Sequence, residues 1–205
     1  QRGYIVKHYN YSKSYITKSV ESSLLNLKTD YLDVLFLHRP SPLLNPKEVA
    51  DTIQNLIQSE KILSFGVSNF TPSQINLLKM LIPVSYNQIE ISITEHSSLT
   101  NGSLDYLMEH NIQTMSWSPL GTIFTTKNEQ NDRILKVLKQ LTDKYNADEA
   151  TLALAWILSH PANILPVIGS TNPERIAKLA NTPKIRLDLQ DWFLIYTASL
   201  GKPVA

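Results

Sequence analysis

Five short apolar runs in the sequence each stop at a side chain that can hold a ligand. Tyr31–His38 ends in His38, and Ser64–Asn69 ends in Ser68 and Asn69. Val84–Ser92 carries Gln88 and Glu90 two positions apart, so both project from one face of a strand. Ile112–Ser118 ends in Trp117 and Ser118, and Ile164–Gly169 runs into Ser170 with Arg175 close behind. Amides and hydroxyls suit a carboxamide, and a flat indole suits a planar heterocycle. A serine at a helix start beside an arginine suits a phosphate. Singly, each has a plainer role: His38 ends a strand, Asn69 precedes a helix cap, Gln88 satisfies buried backbone, Trp117 fills core, and Arg175 is solvated. The argument for a ligand is their joint placement at the ends of five runs.

Those runs alternate with helical patterns. Ser12–Leu27 places Ile16, Val20, Leu24 and Leu27 on one face and predicts a helix. Asn45 before Pro46, with Glu48 three residues on, marks a capped helix start; Val49, Ile53, Leu56 and Ile57 would face inward. Thr71-Pro72-Ser73-Gln74 is a capping box opening a short helix that ends before Pro83. Further helices are expected near Leu104–Glu109, Arg133–Tyr145, Asp148–Ser159, Pro173–Ala180 and Leu189–Leu200. Strands each followed by a helix indicate a parallel sheet with helices outside it and right-handed crossovers. Either a doubly wound open sheet or a (β/α)8 barrel meets this pattern. The glycine-rich fingerprint of the first is absent from the sequence. A barrel takes about 250 residues and eight strands. The fold class expected is therefore α/β, a (β/α)8 TIM barrel, with roughly its first three βα units absent. Residues 1–205 are taken as one N-terminally incomplete domain. The opening residue, Gln1, agrees with a processed, trimmed or incompletely represented piece.

Composition narrows the function classes. The 205 residues carry 19 Lys and Arg against 18 Asp and Glu, which points to neither nucleic acid nor a membrane surface. No apolar run approaches the roughly 20 residues that span a bilayer. Without cysteine there is no disulfide framework and no thiolate metal site, which fits a reducing cytoplasm, the expected compartment. His8, His96, His110 and His160 lack a metal-ligand spacing and are read as surface residues, so no metal is expected.

The motifs LHRP (Leu37–Pro40), FGVSNF (Phe65–Phe70), NQIEIS (Asn87–Ser92), WSPLG (Trp117–Gly121) and VIGSTNPERI (Val167–Ile176) resemble, in order and spacing, those of the aldo-keto reductases. The stretch from His38 to Ala50 and the ending WFLIYTASLG resemble the bacterial oxidoreductase branch of that family, and the likeness covers essentially the whole chain. It implies that His38 is the active-site histidine that orients the substrate carbonyl. It implies that Ser68, Asn69 and Gln88 hold the nicotinamide carboxamide and that Trp117 stacks on the nicotinamide ring. Ser118 and Leu120 would begin the loop over the pyrophosphate. Gly169, Ser170, Asn172 and Arg175 would form the segment around the adenosine 2′-phosphate. NADP(H) is thereby implied, with NAD(H) as the alternative, since a 2′-phosphate calls for a guanidinium and a ribose hydroxyl does not. Two positions depart from many relatives: Gly169 stands where they carry lysine, and Trp117 where they carry tyrosine.

The resemblance also places a general-acid tyrosine, a lysine and an aspartate on the family's first three βα units, which this sequence does not match. Tyr4, Tyr9, Tyr11 and Tyr15 lack the surrounding pattern, and Gln1–Asn10 matches the loop after the third strand. No proton donor is therefore assigned, and a general acid is worth about 10²–10⁴-fold. The function expected is an NADP(H)-dependent oxidoreductase moving a hydride between nicotinamide and a small aldehyde or ketone, with the 205-residue chain alone inactive. The alternative is a non-catalytic nucleotide- or partner-binding module, which would form an oligomer to hide its open sheet edges. A structural protein unrelated to redox chemistry is a third reading, since one fold serves many functions. Substrate and oligomeric state stay open, because the loops Ser41–Asn45, Glu95–Gly102 and Thr122–Asp132 are polar and select no particular carbonyl.

Overall fold

The computed structural model describes residues 6–204. Among them, contacts divide the chain into two compact units. One runs through Gln88 and includes Glu109–Ile112; the other comprises Ile89–Met108 and the chain from Gln113 onward.

The first unit opens with helix α1 (Lys13–Leu27), which buries Ile16, Val20 and Leu24. Leu27, expected on that apolar face, is exposed at the helix end, where the chain turns left-handed at Lys28. Strand β1 (Leu32–Leu37) leads to helix α2 (Pro46–Gln58). The Asn45 side chain accepts from the N–H groups of Lys47 and Glu48, as its position before Pro46 requires. Strand β2 (Ile62–Ser68) and helix α3 (Pro72–Lys79) follow, and the Thr71–Gln74 capping box forms in both directions. Strand β3 (Tyr86–Glu90) pairs with β2. Both pairings in this unit are parallel: Leu35 lies opposite Phe65 and Leu37 opposite Val67, while Ser68 lies opposite Gln88. Gly66 sits where the Phe36 and Tyr86 rings close in. A Cβ there would fall 2.7 Å from Phe36 Cε1 and 2.9 Å from Tyr86 Cβ, so no larger residue fits.

The second unit holds helix α4 (Ser103–Glu109) for most of its length, strand β4 (Gln113–Trp117), helices α5 (Glu129–Tyr145) and α6 (Glu149–Leu158), and strand β5 (Leu165–Pro166). Helices α7 (Pro173–Leu179) and α8 (Leu189–Leu200) complete it, with short 3-10 turns at Ser97–Leu99 and Thr182–Lys184 that the sequence pattern did not announce. β4 and β5 pair parallel, Met115 opposite Leu165 and Ser116 opposite Pro166. Helix α5 begins four residues before the expected Arg133, because the Asn128 side chain caps it by accepting from Asn131 N–H at 2.8 Å. The expected strand Ile164–Gly169 needs a larger correction, since only Leu165 and Pro166 are strand. Proline has no N–H to extend the ladder, and one more bond, Val167 N–H to Ser116 O at 2.8 Å, ends the pairing.

The C-terminal helix is fastened to α5 by charge as well as packing. Asp191, buried, accepts from the Tyr145 hydroxyl at 2.5 Å and from Lys144 Nζ at 2.6 Å; Lys144 also reaches Asp188 at 2.7 Å. The lysine and the phenol hold the Asp191 carboxyl below the usual carboxylate range.

Candidate functional site

In the first unit the polar residues gather at the C-terminal ends of the strands. His38 follows the last residue of β1 and is exposed. Tyr9 meets its ring edge-on, with centroids 6.4 Å apart at 83°. Tyr11 anchors this stretch: its hydroxyl donates to the Arg39 carbonyl and accepts from Arg39 N–H. Burial pushes the Tyr11 phenol above its ordinary value. Tyr4 lies outside the described residues.

Ser68 ends β2, buried, and donates through Oγ to the Gln88 carbonyl at 2.9 Å. Asn69 N–H donates to the same carbonyl at 2.9 Å, and Asn69 Nδ2 donates to Ser68 Oγ at 2.8 Å. One main-chain oxygen thus gathers three of the expected site residues into a single cluster. Asn69 is left-handed at φ 62°, a conformation asparagine tolerates better than most residues. Asn87 was not singled out as a site residue, although it lies in the quoted NQIEIS motif. It is buried on the opposite face of β3 and donates through Nδ2 to the Phe70 carbonyl at 3.1 Å, holding the turn that carries Asn69.

In the second unit, Trp117 ends β4, half-buried, and Ser118 turns left-handed at φ 48°. Non-glycine residues held in that region cost about 1–3 kcal/mol and concentrate at ligand sites. Ser118, Pro119, Leu120 and Gly121 form one wall of a cavity of about 230 Å³, and Ile168, Gly169, Ser170 and Arg175 another, with Leu154 and Leu179 behind. A neighbouring cavity of about 500 Å³ shares Leu120, Arg175 and Leu179 and adds Phe124, Asp148, Asn172 and Lys178. Gly169 and Ser170 were expected at a strand end; they lie instead in the loop beyond Pro166 that the proline creates. Asn172 caps α7 by accepting from Arg175 N–H at 3.0 Å, and its own N–H donates to Ser170 Oγ at 3.2 Å. Lys178 is paired with Asp148 at 2.6 Å. The exposed Arg175 guanidinium has no such partner among the described residues. The structure thus brings Ser118, Leu120, Gly169, Ser170 and Arg175 around one cavity and places Asn172 on the next.

Two of the four remaining histidines correct the surface expectation. His96 is half-buried, edge-on to Tyr196 at 4.9 Å, with Nε2 3.1 Å from the buried Ser199 Oγ. Ser199 gives its one proton to the Ile93 carbonyl and also receives Gln130 Nε2 at 3.1 Å, so His96 Nε2 must carry a proton. His160 is half-buried and accepts from Ala162 N–H at 3.1 Å. His8 and His110 are exposed. Burial lowers the His96 pKa, against an opposing pull from Glu95. A histidine with a lowered folded pKa takes up its proton on unfolding, so stability is full above the ordinary value of 6.5 and falls as pH drops below it. His96→Asn should flatten that slope of thermal midpoint against pH. An unchanged slope in the variant would assign the pH dependence to other groups.

No group of three His, Cys, Asp or Glu among the described residues could hold a metal ion, and no helix there is long and apolar enough to cross a membrane. Comparison with known proteins gives this architecture a family. The sequence model of the Aldo/keto reductase family matches residues 5–198. The chain is 41% identical over 199 residues to YcsN of Bacillus subtilis, described as an uncharacterized oxidoreductase, covering 95% of this chain and 66% of that protein. It is 38% identical over 204 residues to the 6-dehydroglucose reductase of Agrobacterium fabrum, covering 98% of this chain and 68% of that one. A crystal structure of a thermostable aldo-keto reductase in complex with the inhibitor epalrestat superposes with a TM-score of 0.83, covering 92% of this chain and 67% of that one, at 20% identity. That likeness shows the fold, an α/β architecture of the aldo-keto reductase barrel type. The chain belongs to the aldo/keto reductase family and spans about two thirds of the length of these relatives.

Proposed function

We propose that the whole protein is an NADP(H)-dependent oxidoreductase of a small aldehyde or ketone, located in the cytoplasm. A sugar aldehyde is the first substrate class to test, given the activity named for the Agrobacterium relative. The observation that carries the cofactor reading is the Arg175 guanidinium, without a carboxylate partner among the described residues, on a cavity it shares with Ser170 and Ser118. A guanidinium facing a cavity suits a phosphate, and the serine hydroxyls supply further donors. Ser68, Asn69 and Gln88, drawn together by one carbonyl, offer the amide and hydroxyl groups that a carboxamide pairs with.

When bound, the cofactor supplies or accepts the hydride. His38 hydrogen-bonds the substrate oxygen and orients the carbonyl. Trp117 offers a flat face that would suit a nicotinamide ring. Ser68, Asn69 and Gln88 offer groups that would pair with a carboxamide. Leu120, Leu154 and Leu179 keep water from the phosphate cavity. Reduction also needs one proton at the carbonyl oxygen, and no donor is assigned within these residues; a general acid contributed by the rest of the protein completes the balance. NAD(H) is the alternative cofactor.

The test is in two parts. The 205-residue chain should quench its tryptophan fluorescence on titration with NADPH, and the whole protein should oxidise NADPH with small aldehydes and sugar aldehydes. Binding without turnover by the whole protein would favour a non-catalytic nucleotide-binding module. No binding at all would remove the cofactor reading.

A further inference from the structure

One wall of the 230 Å³ cavity is the turn from Ser118 to Gly121. Ser118 and Gly121 are both left-handed, at φ 48° and 53°, and Gly121 N–H closes the turn onto Ser118 O at 2.7 Å. Behind the turn stand Ser92 and Thr94, just after β3. Ser92 Oγ accepts from Thr94 N–H at 3.2 Å and Glu95 N–H at 3.0 Å, and its hydroxyl lies 3.0 Å from Thr94 Oγ1. Thr94 Oγ1 in turn accepts from Thr122 N–H at 3.2 Å. The approach is so close that a Cβ on Gly121 would overlap Thr94 Oγ1 and lie 2.5 Å from Ser92 Oγ. On the far side the buried Asn131 donates through Nδ2 to Thr122 O at 2.9 Å and Thr126 O at 2.8 Å. Ile123, 2% exposed, plugs the loop between these two anchors.

We infer that Thr94 is a positioning residue for the cofactor cavity: its hydroxyl fixes the Gly121–Thr122 turn and so sets where Ser118, Pro119 and Leu120 stand. This rests on the cofactor reading above. Thr94 does not line the cavity itself, so its effect on a ligand passes through the turn. Asn131 holds the Thr122 carbonyl from the other side, and the Thr94 hydroxyl holds the Thr122 N–H, the end of that residue joined to Gly121. Gly121 is the matching half of the device, since only a residue without a Cβ brings the turn onto that hydroxyl.

Thr94→Val removes the hydroxyl at nearly constant shape, and Thr94→Ser keeps it. One net hydrogen bond of about 1 kcal/mol corresponds to roughly fivefold in affinity. The dissociation constant of the chain for NADPH should rise by about that factor in Thr94→Val, remain near the parent value in Thr94→Ser, and rise also in Gly121→Ala. Hydrogen exchange supplies a readout independent of cofactor: the amides of Ser118 and of residues 120–122 should exchange faster in Thr94→Val than in Thr94→Ser, with α5 and α6 unchanged. Parent-like NADPH affinity in Thr94→Val would overturn the inference, as would unchanged exchange of those amides. Should the parent chain itself fail to bind NADPH, the cofactor reading falls. The exchange comparison would then still decide whether Thr94 holds the turn.

Discussion

Arg175→Ser should weaken NADPH binding about tenfold while leaving NADH binding unchanged. The two cofactors differ only at the adenosine ribose, where one carries a phosphate dianion and the other a hydroxyl. Arg175 lines the same cavity wall as Ser170, and no carboxylate among the described residues neutralises it. A charge-assisted hydrogen bond is worth about 1.5–3 kcal/mol. Arg175 is exposed, so solvent and salt reduce that contribution to just under the range, about 1.4 kcal/mol or tenfold. Lys178 provides the internal control. It stands one turn along the same helix, also borders the neighbouring cavity, and is already paired with Asp148. Lys178→Ser should therefore change NADPH affinity far less than Arg175→Ser. The measurement is parallel fluorescence titration of the parent and both variants with the two cofactors, repeated at two salt concentrations. Equal losses for NADPH and NADH in Arg175→Ser would remove the 2′-phosphate assignment and leave Arg175 as a residue that shapes the cavity.

The parts of the fold legible in the sequence were those written in local chemistry. Asn45-Pro46 and Thr71-Pro72-Ser73-Gln74 announce helix starts because cap and first turn lie within a few residues of each other, and both caps form. The ends of the first, second and fourth strands were legible for the same reason: each of those apolar runs stops where a polar or aromatic residue follows. Less legible was anything decided by a partner far along the chain. His96 looked like a surface residue because Ser199, which receives its ring nitrogen, lies 103 positions away. Thr94 carried no signal, since its bond to Thr122 exists only once the loop returns. The fifth strand is a different case. Its apolar run outweighed Pro166, although a proline inside a run argues against continued pairing, and the structure stops the strand there.

Trp156→Ala should destabilise the protein by about 3–5 kcal/mol, the range for losing a buried tryptophan. Trp156 is 1% exposed on α6 and stacks on Trp192 of α8, with centroids 4.8 Å apart and planes 11° from parallel. The two indoles also exchange hydrogen bonds across the helices. Trp156 Nε1 donates to the Trp192 carbonyl at 3.2 Å, and Trp192 Nε1 donates to the Trp156 carbonyl at 3.0 Å. These ring bonds reach carbonyls on facing helices, so the pair sets the spacing of α6 and α8 as well as filling volume. Trp156→Phe keeps much of the packing but strips the Trp192 carbonyl of its indole donor, at a cost of about 1–3 kcal/mol. Since whole domains are stable by only about 5–15 kcal/mol, the alanine variant should unfold at a clearly lower urea concentration with its slope unchanged. Leu154, two residues earlier on α6, lines the cavity, so a shifted α6 should also weaken NADPH binding in the alanine variant more than in the phenylalanine one. A urea midpoint for Trp156→Ala within error of the parent would show that α8 is held by the Asp191 cluster instead, and Asp191→Ala would then be the variant that unfolds early.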